Sequence, residues 1–453
     1  LFVLSPNNHK QPLFLMLFHT HLQYLANYYF RSISMKRKSI FMLFSLLALL
    51  LTFSLNIYAQ DGVTITVWAT GSEDEALVLQ AAADLYTASH EGVTIVVEPI
   101  SWDDGYTRVL AAATSEDGPD IITGGLSWGI SFGALGGMVD LAAEYPEEVA
   151  AISELAHPGV WESIVSLDEE VFGVPLDLTT YLTYYRPDLL AELGLDGAPE
   201  TWEEMTLYAD TIREANGGQG GFAIQWGNAQ WLSFANFLWQ AGGDFYDAEC
   251  SASTINSEEG VVALEFYASL YKEHGFPTDG WPALEAGLND GLYPIGMTGN
   301  WVLGGFDIQY PDLAGKWEVS VAPAGPSGKS TVFIGGRIIG VMSYSPSVDT
   351  AFDFINFLYT PEAVETITTV AASKSIFWIP GLAEFAGTDV YGATVNEVVQ
   401  AQLDDAQGPP NCPGWEEAAT DVQRLIETTI YEDADIEDVL DEAADIMDEL
   451  LDI

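Results

Sequence analysis

Two strand patterns flank one capped helix just after residue 60, and this constrains the fold more than any other feature. Val63-Thr64-Ile65-Thr66-Val67-Trp68 alternates β-branched residues and reads as a strand. Ser72, with Glu75 three residues on, forms a capping box that predicts a helix to about Ser89. Val93-Thr94-Ile95-Val96-Val97 is the next strand. Strand, helix and strand this close together make a βαβ unit, which pairs its strands in parallel. A helix around Tyr106–Ala113 and a short strand, Pro119-Asp120-Ile121-Ile122-Thr123, extend the pattern. The fold class is therefore α/β.

A second α/β region follows. Strands are expected at Tyr181–Tyr185, Phe222–Trp226, Tyr293–Met297, Glu318–Ala322 and Val332–Ser343. Helices should start at Thr201 (with Glu204 completing a capping box), near Trp231, at Ser257 and at Thr360-Pro361. The last helix, about Ile436 to Leu451, puts Ile436, Val439, Leu440, Ala443, Ile446, Met447 and Leu450 on one face. Residues 408–414 read as a loop. The 453 residues are too many for one ordinary domain.

The N-terminal stretch follows a different logic. Residues 1–60 hold five basic groups (Lys10, Arg31, Lys36, Arg37, Lys38) and no acid. Met35-Lys36-Arg37-Lys38 precedes an apolar run, Ile40 to Leu55, and then Ile57-Tyr58-Ala59. This is the order of a secretory signal peptide, expected at 35–59 with cleavage near Ala59. The run is short for a membrane span; an uncleaved anchor is the alternative. Residues 1–34 carry three of the six His and have no place upstream of a signal peptide. They read as a mis-called extension, with Met35 as the start. The protein is expected to be exported, either periplasmic or extracellular, with association to the cell surface left open.

From residue 61 on, nine basic residues face 67 acidic ones. That balance excludes an electrostatic grip on nucleic acid and argues against binding anionic lipid surfaces. No cofactor or metal site is expected. The remaining His residues (His90, His157, His274) lie far apart, and acidic runs such as Asp433–Asp438 lack the spacing of a calcium loop. Cys250 and Cys412, in an exported chain, form a candidate disulfide; two buried thiols are the alternative.

Gly125-Leu126-Ser127-Trp128-Gly129 matches the G-x-S-x-G turn of serine hydrolases. Such an enzyme needs a late His, and no His follows His274. The other reading is a glycine-rich loop at a strand's carboxyl end, where open α/β sheets bind ligands. The thirteen Trp are more informative. Trp68, Trp128, Trp226, Trp301 and Trp415 sit at strand ends or beside Gly and Asn, where a flat apolar ring suits the C–H face of a sugar. Trp202, Trp239 and Trp317 read as packing residues.

A series of short motifs runs in order through the chain. They are Gly118-Pro119-Asp120-Ile121-Ile122, then Phe172-Gly173-Val174-Pro175-Leu176-Asp177 with Leu182 to Leu190, then Pro199 to Glu204. Gly242 to Phe245, Met297-Thr298-Gly299-Asn300-Trp301 and Ile334-Gly335-Gly336-Arg337 follow. Together they resemble the extracellular solute-binding proteins of ABC importers, in the sugar-binding group that includes periplasmic maltose-binding protein. The resemblance implies a two-lobed periplasmic-binding-protein fold, hinge-linked, with a ligand cleft between the lobes. It implies lobe one at 61–181 and 324–374, and lobe two at 182–323 and 375–453. It further implies a monomer that is not an enzyme, capturing a mono- or oligosaccharide and delivering it to ABC permease subunits. A polyamine or phosphodiester on the same fold is the alternative. By position, the implied ligand residues are Trp68, Gly71, Glu73, Leu126, Trp128, Asp177, Trp226, Trp231, Asn300, Trp301, Gly336, Arg337 and Trp415. Arg337 is expected to donate to hydroxyls, to pair with Asp177, or to meet an acidic sugar. Thr179-Thr180-Tyr181 stands where the maltose-binding pattern places an acid.

Overall fold

The computed structural model describes residues 62–226, 231–278, 284–383 and 392–451. The expected signal segment and the stretch before it lie outside the described residues. The opening strand is β1, Val63–Thr70, and the helix after it spans Glu73–Ser89 with both halves of the Ser72–Glu75 capping box present. β2, Val93–Ile100, runs parallel to β1. The next helix, Trp102–Ser115, starts earlier than expected because the Ser101 hydroxyl caps the amide of Asp104. β3, Ile121–Gly125, also lies parallel to β1.

The strand expected at Tyr181–Tyr185 is only the second half of β4, Val174–Tyr185. Its first half is almost continuously buried, so it shows no alternation to read. The remaining strands are β5 (Phe222–Ile224), β6 (Ile295–Gly299), β7 (Glu318–Ser320), β8 (Val332–Val341), β9 (Ile379–Pro380) and β10 (Ala406–Gln407). β6 begins later than expected, just after Pro294, which has no N–H to give to a ladder. The sheet order is β2-β1-β3-β8-β4-β6-β5, with β7 and β9 pairing β4 and β10 pairing β8. β8 is antiparallel to both β3 and β4, so the parallel opening passes into an antiparallel centre.

β4 links the two ends of the sheet. Val174–Thr180 pairs with β8, and Tyr181–Tyr185 pairs with β6 and β7. The register shifts between Pro175 and Asp177. Opposite this irregularity Gly336 takes φ +131°, and a Cβ there would lie 2.0 Å from the Asp177 carbonyl oxygen. Only glycine fits that crossing.

Apolar burial gathers at both ends. One cluster joins Ile65, Val67, Leu79 and Tyr86 to Ile339, Phe354 and Trp378. Another joins Tyr181, Trp202, Phe222, Phe234 and Ile295 to Val332, Trp415, Val422 and Met447. A third packs Trp128, Phe132, Leu182, Tyr184 and Phe306 around the centre. Each draws on chain segments far apart in sequence. The final helix, Ile436–Leu451, buries Val439, Leu440, Ala443 and Met447 as its pattern predicts. The Thr201 cap is simpler than expected: its hydroxyl accepts from the Glu204 amide, while the Glu204 carboxylate takes the Glu200 amide instead. Cys250 and Cys412 are joined in a disulfide, their Cα atoms 5.5 Å apart. Among the described residues no helix is long and apolar enough to cross a membrane.

Candidate functional site

At the crossing of β4 and β8, Arg337 and Asp177 are each 5% exposed. The Arg337 Nε donates to both Asp177 carboxylate oxygens, at 3.2 and 3.0 Å, and Nη2 donates to one of them. Nη1 donates to the Thr70 carbonyl at 2.8 Å and meets Glu75 Oε1 at 3.1 Å. The guanidinium lies over the Trp378 ring, 4.7 Å away. Burial works against the charge on Arg337, yet the Asp177 and Glu75 carboxylates outweigh it and hold the guanidinium firmly protonated. Of the roles open to Arg337, the geometry realises the pairing with Asp177.

Gly71 is part of the same cluster. Its φ is +136°, and a Cβ would lie 2.8 Å from a Glu75 carboxylate oxygen and 2.9 Å from Arg337 Nη1. Glu73 is exposed and makes none of these bonds. Glu75, which the sequence explains as a cap, is the acid that reaches Arg337. Burial pushes its pKa up, but the Arg337 charge and the Ser72 hydrogen bonds prevail and hold it below the usual carboxylate range.

A second cluster forms after β3. Trp128 starts a short helix, Trp128–Ala134, and its ring lies against Gly124, where a Cβ would come within 2.0 Å of it. Leu126 is buried. Trp128 meets Trp102, Tyr106 and Phe132 edge-on, with ring centroids 5.7, 5.5 and 6.0 Å away. Ser127 Oγ donates to Glu416 Oε1, and Tyr106 OH donates to Glu417 Oε1 at 3.0 Å. Both glutamates stand in the first turn of the helix Trp415–Tyr431. The serine of the G-x-S-x-G match thus has a carboxylate partner, not an imidazole one.

The other aromatics divide by exposure. Trp301 is 42% exposed and covers Gly299, with Tyr181 edge-on to it at 5.6 Å. Its neighbour Asn300 is fully buried: Oδ1 accepts the Thr180 amide at 2.8 Å, while Nδ2 and the Thr180 hydroxyl find no protein partner. Trp415 is 1% exposed and sits in the core, 4.9 Å from Trp231 and 4.8 Å from Phe245. That enclosure gives it a packing role in this conformation and leaves no free ring face for a ligand. Trp231 is half-buried beside it, and Trp226 packs against Tyr271 and Tyr431. Trp68 donates to Glu98 and carries Arg108 over its ring at 4.6 Å. Trp202 is a packing residue, stacked 4.1 Å from Phe266 with its indole donating to Gln240. Trp239 donates to Asp244, and Trp317 packs on Phe306.

An α/β sheet whose central strands run between two ends, with aromatic and carboxylate groups gathered where those ends meet, defines a two-lobed binding protein. The chain belongs to the bacterial extracellular solute-binding protein family, whose model matches residues 69–365. A lactose-binding protein of Rhizobium radiobacter is 26% identical over 318 residues, covering 66% of this chain and 71% of that protein. The cyclic alpha-maltosyl-1,6-maltose binding protein of Arthrobacter globiformis superposes with a TM-score of 0.68 at 26% identity, over 86% of this chain and 99% of that one. A solute-binding protein of Thermotoga lettingae, solved with alpha-D-tagatose, has the same fold, with a TM-score of 0.73 at 20% identity over 86% of this chain and 100% of that one. These are binding proteins, so the G-x-S-x-G match marks a loop of a binding protein rather than a nucleophile.

Proposed function

We propose that this protein captures a neutral mono- or oligosaccharide outside the membrane and hands it to the permease subunits of an ABC importer. One observation carries the sugar reading. Trp301 is a half-exposed indole held over a glycine at the end of β6, next to the buried Asn300 amide and Thr180 hydroxyl that find no protein partner. An exposed apolar ring face suits the C–H surface of a sugar, and the Asn300 and Thr180 groups, enclosed in this conformation, reach its hydroxyls only as the lobes move. The ligands of the relatives, lactose and a cyclic maltosyl-maltose among them, support the same reading.

In this reading the ligand contacts come from Trp301, Asn300, Trp226 and Trp231 on one lobe, and from Trp68, Gly71, Glu73, Leu126 and Trp128 on the other. Asp177, Gly336 and Arg337 form the crossing on which the lobes turn, and Trp415 supports Trp231 from behind. The lobe boundaries stay near 181, 323 and 374, with two adjustments. Val332 and Phe333 pack with the second lobe, and Trp378 with the first. The protein works as a monomer, exported by the segment at 35–59.

Calorimetry with a panel of neutral sugars tests this. Replacing Trp301 with Ala should cost about 2–4 kcal/mol of binding to the panel member that binds, on the order of 30- to 1000-fold in affinity. Equal affinity in the variant would refute the platform. Binding of a polyamine or a phosphodiester, with no sugar binding, would refute the substrate class.

A further inference from the structure

The contacts of Glu416 and Glu417 carry more than packing. The helix Trp415–Tyr431 begins after Gly414 with no side-chain cap of its own. Glu416 does not fold back to satisfy that helix start. It reaches across to Ser127 Oγ, 289 residues away in sequence. Glu417 takes the Tyr106 hydroxyl, 311 residues away. Two consecutive carboxylates of the last chain segment are thus held by two hydroxyls of the first α/β region. On the two-lobe reading proposed above, these bonds join opposite lobes and exist only while the lobes are closed.

We propose that Glu416 is a proton-coupled latch: its carboxyl takes up a proton as the lobes close on Ser127 and Trp128, so that closure and ligand retention strengthen as the pH falls. The inference rests on the two-lobe reading. The groups facing this carboxyl are the Ser127 hydroxyl and Trp128 indole on the loop after β3, the Tyr106 phenol on the helix Trp102–Ser115, and Glu417 on its own helix. None of these four is a cation. A neutral acid keeps the Ser127 contact, because it can exchange donor and acceptor roles with that hydroxyl. Burial, reinforced by the charge of Glu417, pushes the Glu416 carboxyl up to about 7, while the Ser127 hydrogen bond pulls the other way. Burial and the Glu417 charge push Tyr106 up as well, and it stays protonated.

The sign follows from linkage. A group whose pKa is higher in the closed form favours that form as the pH falls through the raised value. With a closed-form value of about 7 against 4.5 when solvated, affinity should be severalfold tighter at pH 6 than at pH 8, with about tenfold as the upper bound set by a fully open ligand-free form.

The test has two independent readings. Carbon-13 NMR of glutamate carboxyl-labelled, ligand-free protein, in which open and closed forms exchange, should show one resonance titrating above the ordinary glutamate range, between 4.5 and about 7, and absent in Glu416→Gln. If every glutamate titrates in the ordinary range, the latch is overturned whatever binds. Small-angle scattering of the same samples should give a smaller radius of gyration at pH 6 than at pH 8.5, with Glu416→Gln compact throughout; equal radii in the wild type would overturn the coupling to closure. Calorimetry with lactose and with maltose then measures the affinity change, which Glu416→Gln should flatten. If a sugar binds wild type with no pH dependence, the latch fails and the sugar reading survives. If neither sugar binds at any pH, the sugar reading is what suffers, and the NMR titration still decides the latch. Should Glu416→Gln fail to fold, Ser127→Ala serves. Losing a hydroxyl that favours the ionised carboxyl should move the titration upward, and an unmoved midpoint would also overturn the proposal.

Discussion

Arg337 is one of nine basic residues after residue 60, and it is buried where β4 crosses β8. Burying a charge is tolerable only when its partners are in place. Asp177→Ala should therefore destabilise the protein by about 3–5 kcal/mol, read from urea unfolding, because it leaves Arg337 short of its principal partner. Joint replacement of Asp177 and Arg337 by apolar residues of similar volume should cost much less. Glu75 gives a pH signature. Its pKa in the folded chain lies below the ordinary 4.5, so its contribution to stability is present above that value and is lost as the pH falls through the folded one. Glu75→Gln should flatten this part of the acid limb in thermal melts between about pH 5 and 3. At this scale the sequence is unevenly legible. Arg337 stands out by rarity. Glu75 is hidden by its capping role, which explains it fully without the arginine. Glu416 cannot be told from the other acids, since its partner Ser127 is brought near only by the fold.

The elements with strong local signals are where the residue pattern puts them: β1, the capped helix after it, β2, and the amphipathic final helix. The short helices at Pro146–Leu155 and Pro158–Ile164 have no expectation to match, although each begins with proline at its first position. The first half of β4 is legible only as a motif of the family, because a strand buried on both faces loses its period of two. The same crossing makes a prediction. Gly336→Ala forces a side chain into φ +131° and against the Asp177 carbonyl. It should cost about 1–3 kcal/mol in unfolding experiments, and a neutral effect would show that the crossing relaxes.

Over the whole molecule the dominant quantity is charge, a formal −53 for the full sequence. Several of the few cations are taken locally, as in the pairs Lys272–Asp433, Lys374–Asp74 and Arg424–Asp421, so most carboxylates repel one another across solvent. Salt at about 1 M shortens the screening length to roughly 3 Å, and the melting temperature should be higher there than in about 10 mM salt. A flat or falling dependence would mean that the acids are already compensated. The Cys250–Cys412 bond acts at this scale too, because the 162 positions separating its ends include β6, β7 and β8. A single cut anywhere between those cysteines opens the covalent ring without freeing a fragment. A protein nicked once there should migrate as one species in denaturing gels without thiol and as two with it, so a cut between the two cysteines is recorded only after reduction.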